Sequence, residues 1–280
     1  FKKSLKGKLE QPSMTIGIPR ALNMYDNFQF WYHLFTLNNI QVKSSSRSTY
    51  SLYEKGLNTV MADNICFPAK LLHGHVFDLM GKGVDRIFFP YVVYEKLEKG
   101  SQNSFNCPIV AGYSDVIKSA INTSKRSNIP LDSPVINFKD IKLLEKSCRV
   151  YLKTLLGENY NKKRFKESFM QAIKASEDFS NKIADRATAL LEKAKKEGRF
   201  VILLAGRPYH NDPLIQHKVS EIITSFGVDV VTEDLVRMDE IEHQDSHVIK
   251  QWSYVNRIVR AAEWVASTNE NVHYVQLTSF

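Results

Sequence analysis

The stretch MTIGIPRALNMYDNFQFWYHLFTLNNIQVK, Met14 to Lys43, decides how the chain is read. Met14–Ile18 is a short apolar run of strand type, left through a Pro-Arg-Ala-Leu-Asn turn. Phe28–Leu37 is aromatic at helical spacing, and Ile40–Lys43 is again strand-like. Strand, loop, helix and strand in about thirty residues make one βαβ unit. The pattern continues outward: short strands are expected at Thr59–Ala62, Arg86–Phe89 and Ile109–Ala111, with helices at Lys70–Met80 and Ser114–Ile121. Such alternation predicts a parallel sheet with helices on its faces.

From Phe138 to Glu197 strand signals stop. Two charged amphipathic segments, Lys139–Leu156 and Lys162–Glu197, are separated by Gly157, and Phe165, Phe169, Ile173 and Phe179 follow a helical stripe. A second α/β unit follows: strand Phe200–Ala205, loop Gly206–Pro213 with Asp212 as cap, helix Leu214–Phe226, and strand Val228–Val231. A helix at Ser246–Ala266 and a strand at Val272–Leu277 close it. The organisation is therefore an arm over 1–13, an α/β domain over 14–137, a helical spacer over 138–198 and a second α/β domain over 199–280. That second domain reads as truncated, and the basic, Met-less start reads as an arm cut from something longer. Gly-Ile-Pro-Arg20 and Gly-Arg207-Pro-Tyr209-His210 echo each other on the loops leaving the first strand of each unit, where open α/β sheets bind ligands.

Composition narrows the function. The 280 residues allow about two domains, and 43% hydrophobic content supports a real core. No apolar run approaches the roughly 20 residues of a bilayer span, and no signal segment opens the chain, so a soluble cytoplasmic protein without membrane partner is expected. The net charge of +8 is spread over Phe1–Lys8 and Lys139–Lys196, where acids alternate with the lysines; this is a solvated helical face and not a nucleic-acid groove. Three cysteines are too few for a disulfide framework, and Cys148 sits at helical spacing as a packing residue.

Within Asp63–His75 (DNICFPAKLLHGH), Pro68 suits a first helical turn, and Leu72, Val76, Leu79 and Met80 form a buried stripe. His73 and His75, two apart, point about 200° apart on a helix and cannot share an ion; one is expected to face the ligand side while the other packs or is solvated. Cys66 lies just ahead of the helix start, where backbone N–H groups favour a thiolate, as a nucleophile or metal ligand. Cys107 lies at the far end of its strand or on the loop before it. Taken alone, both cysteines also suit inert packing. Phosphate loops, dinucleotide fingerprints and serine elbows are absent, and Glu240, His243 and His247 suit capping and surface roles.

Ile-Gly-Ile-Pro-Arg20, Cys66-Phe-Pro-Ala-Lys-Leu-Leu-His-Gly-His75, Asn106-Cys-Pro-Ile-Val110, Ala205-Gly-Arg-Pro-Tyr-His210, Thr232-Glu-Asp234 and Gln276-Leu-Thr-Ser-Phe280 occur in this order. Together they resemble the activase-related domain family of the 2-hydroxyacyl-CoA dehydratase system. The resemblance implies two flavodoxin-like or Rossmann-like parallel-sheet domains linked by a helical segment, like the dehydratase subunits. It implies a 4Fe-4S cluster held by cysteines between domains, with Cys66 and Cys107 as metal ligands. It further implies ATP-coupled electron transfer to, or radical dehydration of, acyl-CoA substrates in anaerobic metabolism. An activator ATPase domain in the same or another chain and an acyl-CoA are the implied partners, with Arg20, Lys70, His73, His75, Arg207, Tyr209 and His210 lining the cofactor site. The arginines equally suit structural salt bridges or the domain contact. Relatives carry a cysteine in the segment matching Phe89–Glu95 and continue with Gly-Cys-Gly after Ser-Phe, neither of which stands here. A cluster held poorly or not at all is therefore expected. The alternative reading is a non-redox ligand-binding or docking module for a neighbouring activator ATPase.

Overall fold

The computed structural model describes residues 9, 11–98, 100–236, 250–268 and 271–278. Strand β1 (Met14–Ile18) pairs in parallel with β2 (Ile40–Ser44) and β3 (Arg86–Phe88), and β3 pairs with β5 (Leu131–Asp132). The sheet order is β2-β1-β3-β5. Pro90 and Pro134 interrupt the last two strands, since proline has no N–H for the ladder. Both resume at once as β4 (Tyr91–Tyr94) and β6 (Val135–Asn137), which pair in parallel. Helices α1 (Met24–Thr36), α2 (Tyr50–Leu57), α3 (Phe67–Met80), α4 (Pro108–Ala120), α5 (Thr123–Ser127) and α6 (Ile141–Leu156) accompany this sheet.

The second sheet has the order β8-β7-β9, all parallel, from β7 (Val201–Ala205), β8 (Asp229–Thr232) and β9 (Val272–Gln276). Both units thus start on an inner strand, step to one neighbour, then cross to the other side. The expected α/β class with parallel sheets holds.

Helix α7 (Lys162–Lys196) joins two cores. Phe165, Phe169 and Ala172 enter the first, an aromatic cluster in which Trp31 meets Phe88 at 4.6 Å and Phe30 meets Phe169 at 6.0 Å. Ala187 and Ala194 enter the second, against Val201, Leu203 and Ala205. Phe179, the end of the expected stripe, is exposed.

Three expectations need correction. Thr59–Ala62 is not a strand: the Thr59 hydroxyl donates to the Gly56 carbonyl at 2.7 Å at the end of α2, and Met61 is exposed. Ile109–Ala111 belongs to α4, because Val110, Tyr113, Ser114 and Ile117 bury one face at helical spacing and Pro108 starts the helix. Leu214–Phe226 is not one helix. Asp212 does accept the Leu214 N–H at 2.8 Å, but His217 and Lys218 turn left-handed, and only α8 (Val219–Ser225) is helical. Of the expected helix at Ser246–Ala266, the described residues are helical only over α9 (Ser253–Ser267); 250–252 form a turn and a bridge ahead of it. Glu240, His243 and His247 lie outside the described residues.

Candidate functional site

Cys66 is the cap of α3 and Cys107 the cap of α4. Each is followed by a proline in the first turn, which fixes the helix start and leaves the cysteine on extended backbone outside it. The Cys66 carbonyl accepts the Ala69 and Lys70 N–H groups at 3.0 and 3.2 Å, and the Cys107 carbonyl accepts the Ala111 N–H at 2.9 Å. Both side chains are half-buried, and the two sulfurs feel each other's charge. Burial pushes the Cys66 thiol up, Cys107 adds to this, and the Arg207 guanidinium opposes it. The activated thiolate expected at a helix start is therefore not what this cap produces: desolvation outweighs the helix terminus. Tyr113, on α4, senses the same sulfur; burial first and then Cys66 push its phenol up to about 12.

Arg207 arrives from the other unit, on the loop leaving β7. A Cβ on Gly206 would collide with the His210 ring, so this loop closes tightly only with glycine there. The Arg207 N–H donates to His210 Nδ1 at 2.9 Å, the His210 N–H returns to the Arg207 carbonyl at 2.8 Å, and Arg207 Nη1 donates to the Tyr209 hydroxyl at 3.1 Å. Tyr209 and His210 are buried, and His210 is lowered to about 4 by burial first and by Arg207 second. They set the loop's shape. Arg207 alone of this motif reaches the two cysteines.

The histidines of the His-Gly-His motif behave differently from expectation. Both are fully buried, so neither faces a ligand. His73 contacts the Thr59 hydroxyl at 2.8 Å and the Tyr113 hydroxyl at 3.0 Å. His75 contacts Ser45 at 2.8 Å and Ser48 at 3.1 Å. Every ring nitrogen has a hydroxyl partner, and burial lowers each imidazole to about 4, so both are neutral packing groups. Between them, Gly74 lets α2 lie against α3: a Cβ there would strike the Leu52 carbonyl. Lys70 donates Nζ to the Asp63 carbonyl at 2.6 Å, clasping the loop ahead of the helix.

Arg20 belongs to a second cluster. Its N–H donates to Ser45 Oγ at 2.8 Å, and its charge acts on His75 and Tyr25. Tyr25 donates to Asp212 Oδ2 at 2.5 Å, and Ser48 bonds the same oxygen. The two echoing loops therefore meet, Arg20 from one and Asp212 from the other.

Sequence reasoning missed what surrounds Cys107. Phe105 bridges Trp252: its N–H donates to the Gln251 carbonyl at 2.9 Å and its carbonyl accepts the Ser253 N–H at 3.0 Å. Beside this join lies a cavity of about 260 Å³ lined by Phe105, Cys107, Val110, Arg207, Trp252 and Tyr254, among others. No spacing signal marks Trp252 or Tyr254; they reach the cysteine through tertiary pairing. Among the described residues, no group of three or more cysteine, histidine, aspartate and glutamate side chains is placed to hold a metal ion.

Fold and site define a class: a parallel α/β protein carrying two helix-cap thiols and one arginine at the contact of two sheet units. A family model described as the CoA enzyme activase uncharacterised domain (DUF2229) matches residues 15–236. The chain belongs to that family. No curated protein matches it. Among solved structures, one described as nitrogenase Cp1 at pH 6.5 aligns with 12% identity over 98% of this chain and 48% of its own, at a TM-score of 0.24. The chain spans about half the length of that structure. No helix among the described residues is long and apolar enough to cross a membrane.

Proposed function

We propose that this activase-family domain is an iron–sulfur protein, serving ATP-coupled electron transfer to, or radical dehydration of, acyl-CoA substrates, with an activator ATPase domain as its partner. In this reading the two sheet units are flavodoxin-like domains joined by a helical segment, over 14–137, 138–198 and 199–280. The observation that carries it is the convergence of Cys66 and Cys107 from two separate helix caps beside Arg207.

The fit to a 4Fe-4S cluster is partial. Such clusters take four thiolates as a rule, and the chain offers two at this site; Cys148 is buried on α6. Cys66 and Cys107 would supply two of the cluster's thiolate ligands, and further ligands would have to come from elsewhere. When bound, the cluster supplies a one-electron carrier. The chain's own residues set its surroundings. Arg207 offsets negative charge at the thiolates, and Phe105, Trp252 and Tyr254 line the Cys107 side with aromatic rings. Lys70, engaged with a carbonyl on the loop ahead of α3, adds positive charge at that helix start.

The test is oxygen-free purification of the complete gene product, followed by iron and sulfide assay and visible absorption. Cys66→Ser and Cys107→Ser should each abolish the iron. A colourless, iron-free protein after reconstitution overturns the reading.

A second reading, an iron-independent ligand-binding or docking module, is favoured by the upward push on the Cys66 thiol, which suits a protonated side chain. Iron-independent binding of an acyl-CoA or an ATPase fragment would support it.

A further inference from the structure

Arg207 stands out among the partly or fully buried arginines. Arg257 is ringed by three carboxylates, and Arg86 is held by Asp132 through two bonds of 2.6 Å. Arg207, half-buried, has the Tyr209 hydroxyl, the neutral His210 ring and the two thiols near its charge; no carboxylate of the described residues pairs with it. A desolvated guanidinium without a counter-anion is costly, and its planar fork matches a carboxylate in two-point geometry.

The cavity it faces has a definite character. Arg207 is its single charged lining group among the described residues, and the other lining side chains are apolar or aromatic apart from the Cys107 thiol. Tyr254 spends its hydroxyl on Glu95 at 3.0 Å, so what it offers the cavity is its ring. Phe105 and Trp252 supply further aromatic surface, their ring centres 6.4 Å apart. At about 260 Å³ the space suits one ring or a short branched chain and is small for a nucleotide-bearing cofactor. The site also lies where two units meet, a common place for small-ligand pockets.

We propose that this cavity binds a small free carboxylate with an apolar body, the carboxylate on Arg207 and the body between Phe105, Trp252 and Tyr254. The site uses no metal, and its occupant is a free acid and not a thioester. It shares Cys107 and Arg207 with the iron–sulfur reading, but it is tested on iron-free protein by ligand binding, so the failure of either is read separately.

The experiment is calorimetric titration of the iron-free protein with phenylacetate, phenylacetamide and acetate. Phenylacetate should bind at least about tenfold more tightly than either, since a charge-assisted hydrogen bond and a buried ring each contribute that much. Arg207→Met should remove the preference over phenylacetamide, and Trp252→Ala should weaken phenylacetate about tenfold. Val255→Trp, which fills the cavity from a wall without charge, should block binding while leaving Arg207 in place; it decides the matter if Arg207→Met unfolds. Equal binding of acid and amide, acetate binding as tightly as phenylacetate, phenylacetate binding that survives Val255→Trp, or no phenylacetate binding at all overturns the proposal. Iron content plays no part in any of these readouts.

Discussion

Arg257 on α9 reaches Asp26 on α1: its Nη1 lies 3.0 Å from Oδ2, tying the first turn of one unit's helix to the other unit. Its Nη2 lies 3.1 Å from Asp234 and 3.6 Å from Glu233, both just past β8. Burial works against this guanidinium's charge, but the three acids hold its pKa well above the ordinary value. Removing it leaves buried carboxylates facing one another. Arg257→Met should cost roughly 3–5 kcal/mol, read from the denaturant midpoint at pH 7. A loss under about 1 kcal/mol would mean that the carboxylates are hydrated and the contact is loose.

Gly74 touches the neighbouring helix with its backbone. A methyl group there meets the Leu52 carbonyl, and one on Gly56 meets the Gly74 amide, so each glycine is needed for the same contact. Gly74→Ala would gain helix propensity worth about 1 kcal/mol in an open helix. Here overpacking outweighs that gain, and a net destabilisation of about 2 kcal/mol is expected in thermal or urea unfolding. An unchanged midpoint would show that α2 can slide away from α3 without loss.

Much of the fold is legible because it rests on local signals. The alternation of Met14–Lys43, the glycine and proline breaks and the apolar run of β7 suffice for two parallel units. Where β-branched residues at Ile109–Ala111 suggested a strand, the buried stripe of α4 prevailed, because tertiary burial overrides local preference. The site was legible only in part. Helix-cap position identified Cys66, yet desolvation, which reverses the direction of its pKa, is a tertiary quantity. His73 and His75 looked chemical from their identity, and their hydroxyl partners Thr59, Tyr113, Ser45 and Ser48 are scattered along the chain. Trp252 joins Cys107 through a backbone bridge at Phe105 that no spacing rule contains.

His73, His75 and His210 make stability sensitive to mild acid. Burial lowers each folded pKa to about 4, against 6.5 when unfolded. As pH falls the unfolded chain takes up protons first, so stability is full above about 6.5 and is lost on the way down to about 4. Glu233 has the opposite sign: burial raises it from 4.5 to about 7, so its protonation in the folded state adds stability as pH falls between those values. Burial raises Glu95 as well, with the same sign as Glu233, so three imidazoles against two carboxyls predict a net loss. His75→Gln should flatten the slope of unfolding free energy against pH by up to about 1.4 kcal/mol per pH unit. Parallel slopes for variant and parent would place a charged imidazole in the folded core.

Alkylation kinetics separate an activated thiolate at Cys66 from a buried thiol. The thiolate is the reactive form, and burial with Cys107 nearby pushes the Cys66 thiol up while Arg207 pulls against them. At pH 7.5 iodoacetamide should therefore label Cys66 more slowly than free cysteine, with the rate rising beyond the ordinary thiol range near pH 8.5. Arg207→Met should slow labelling further by removing the one stabilising cation, and Cys107→Ser should speed it by removing a competing charge. Cys148, fully buried with its thiol pushed far up, should stay unlabelled until the protein unfolds and so reports whether a variant is intact. Peptide mapping by mass spectrometry resolves the three sites. Labelling of Cys66 faster than free cysteine at pH 7.5, with Cys148 still protected, would mean that the α3 terminus outweighs desolvation.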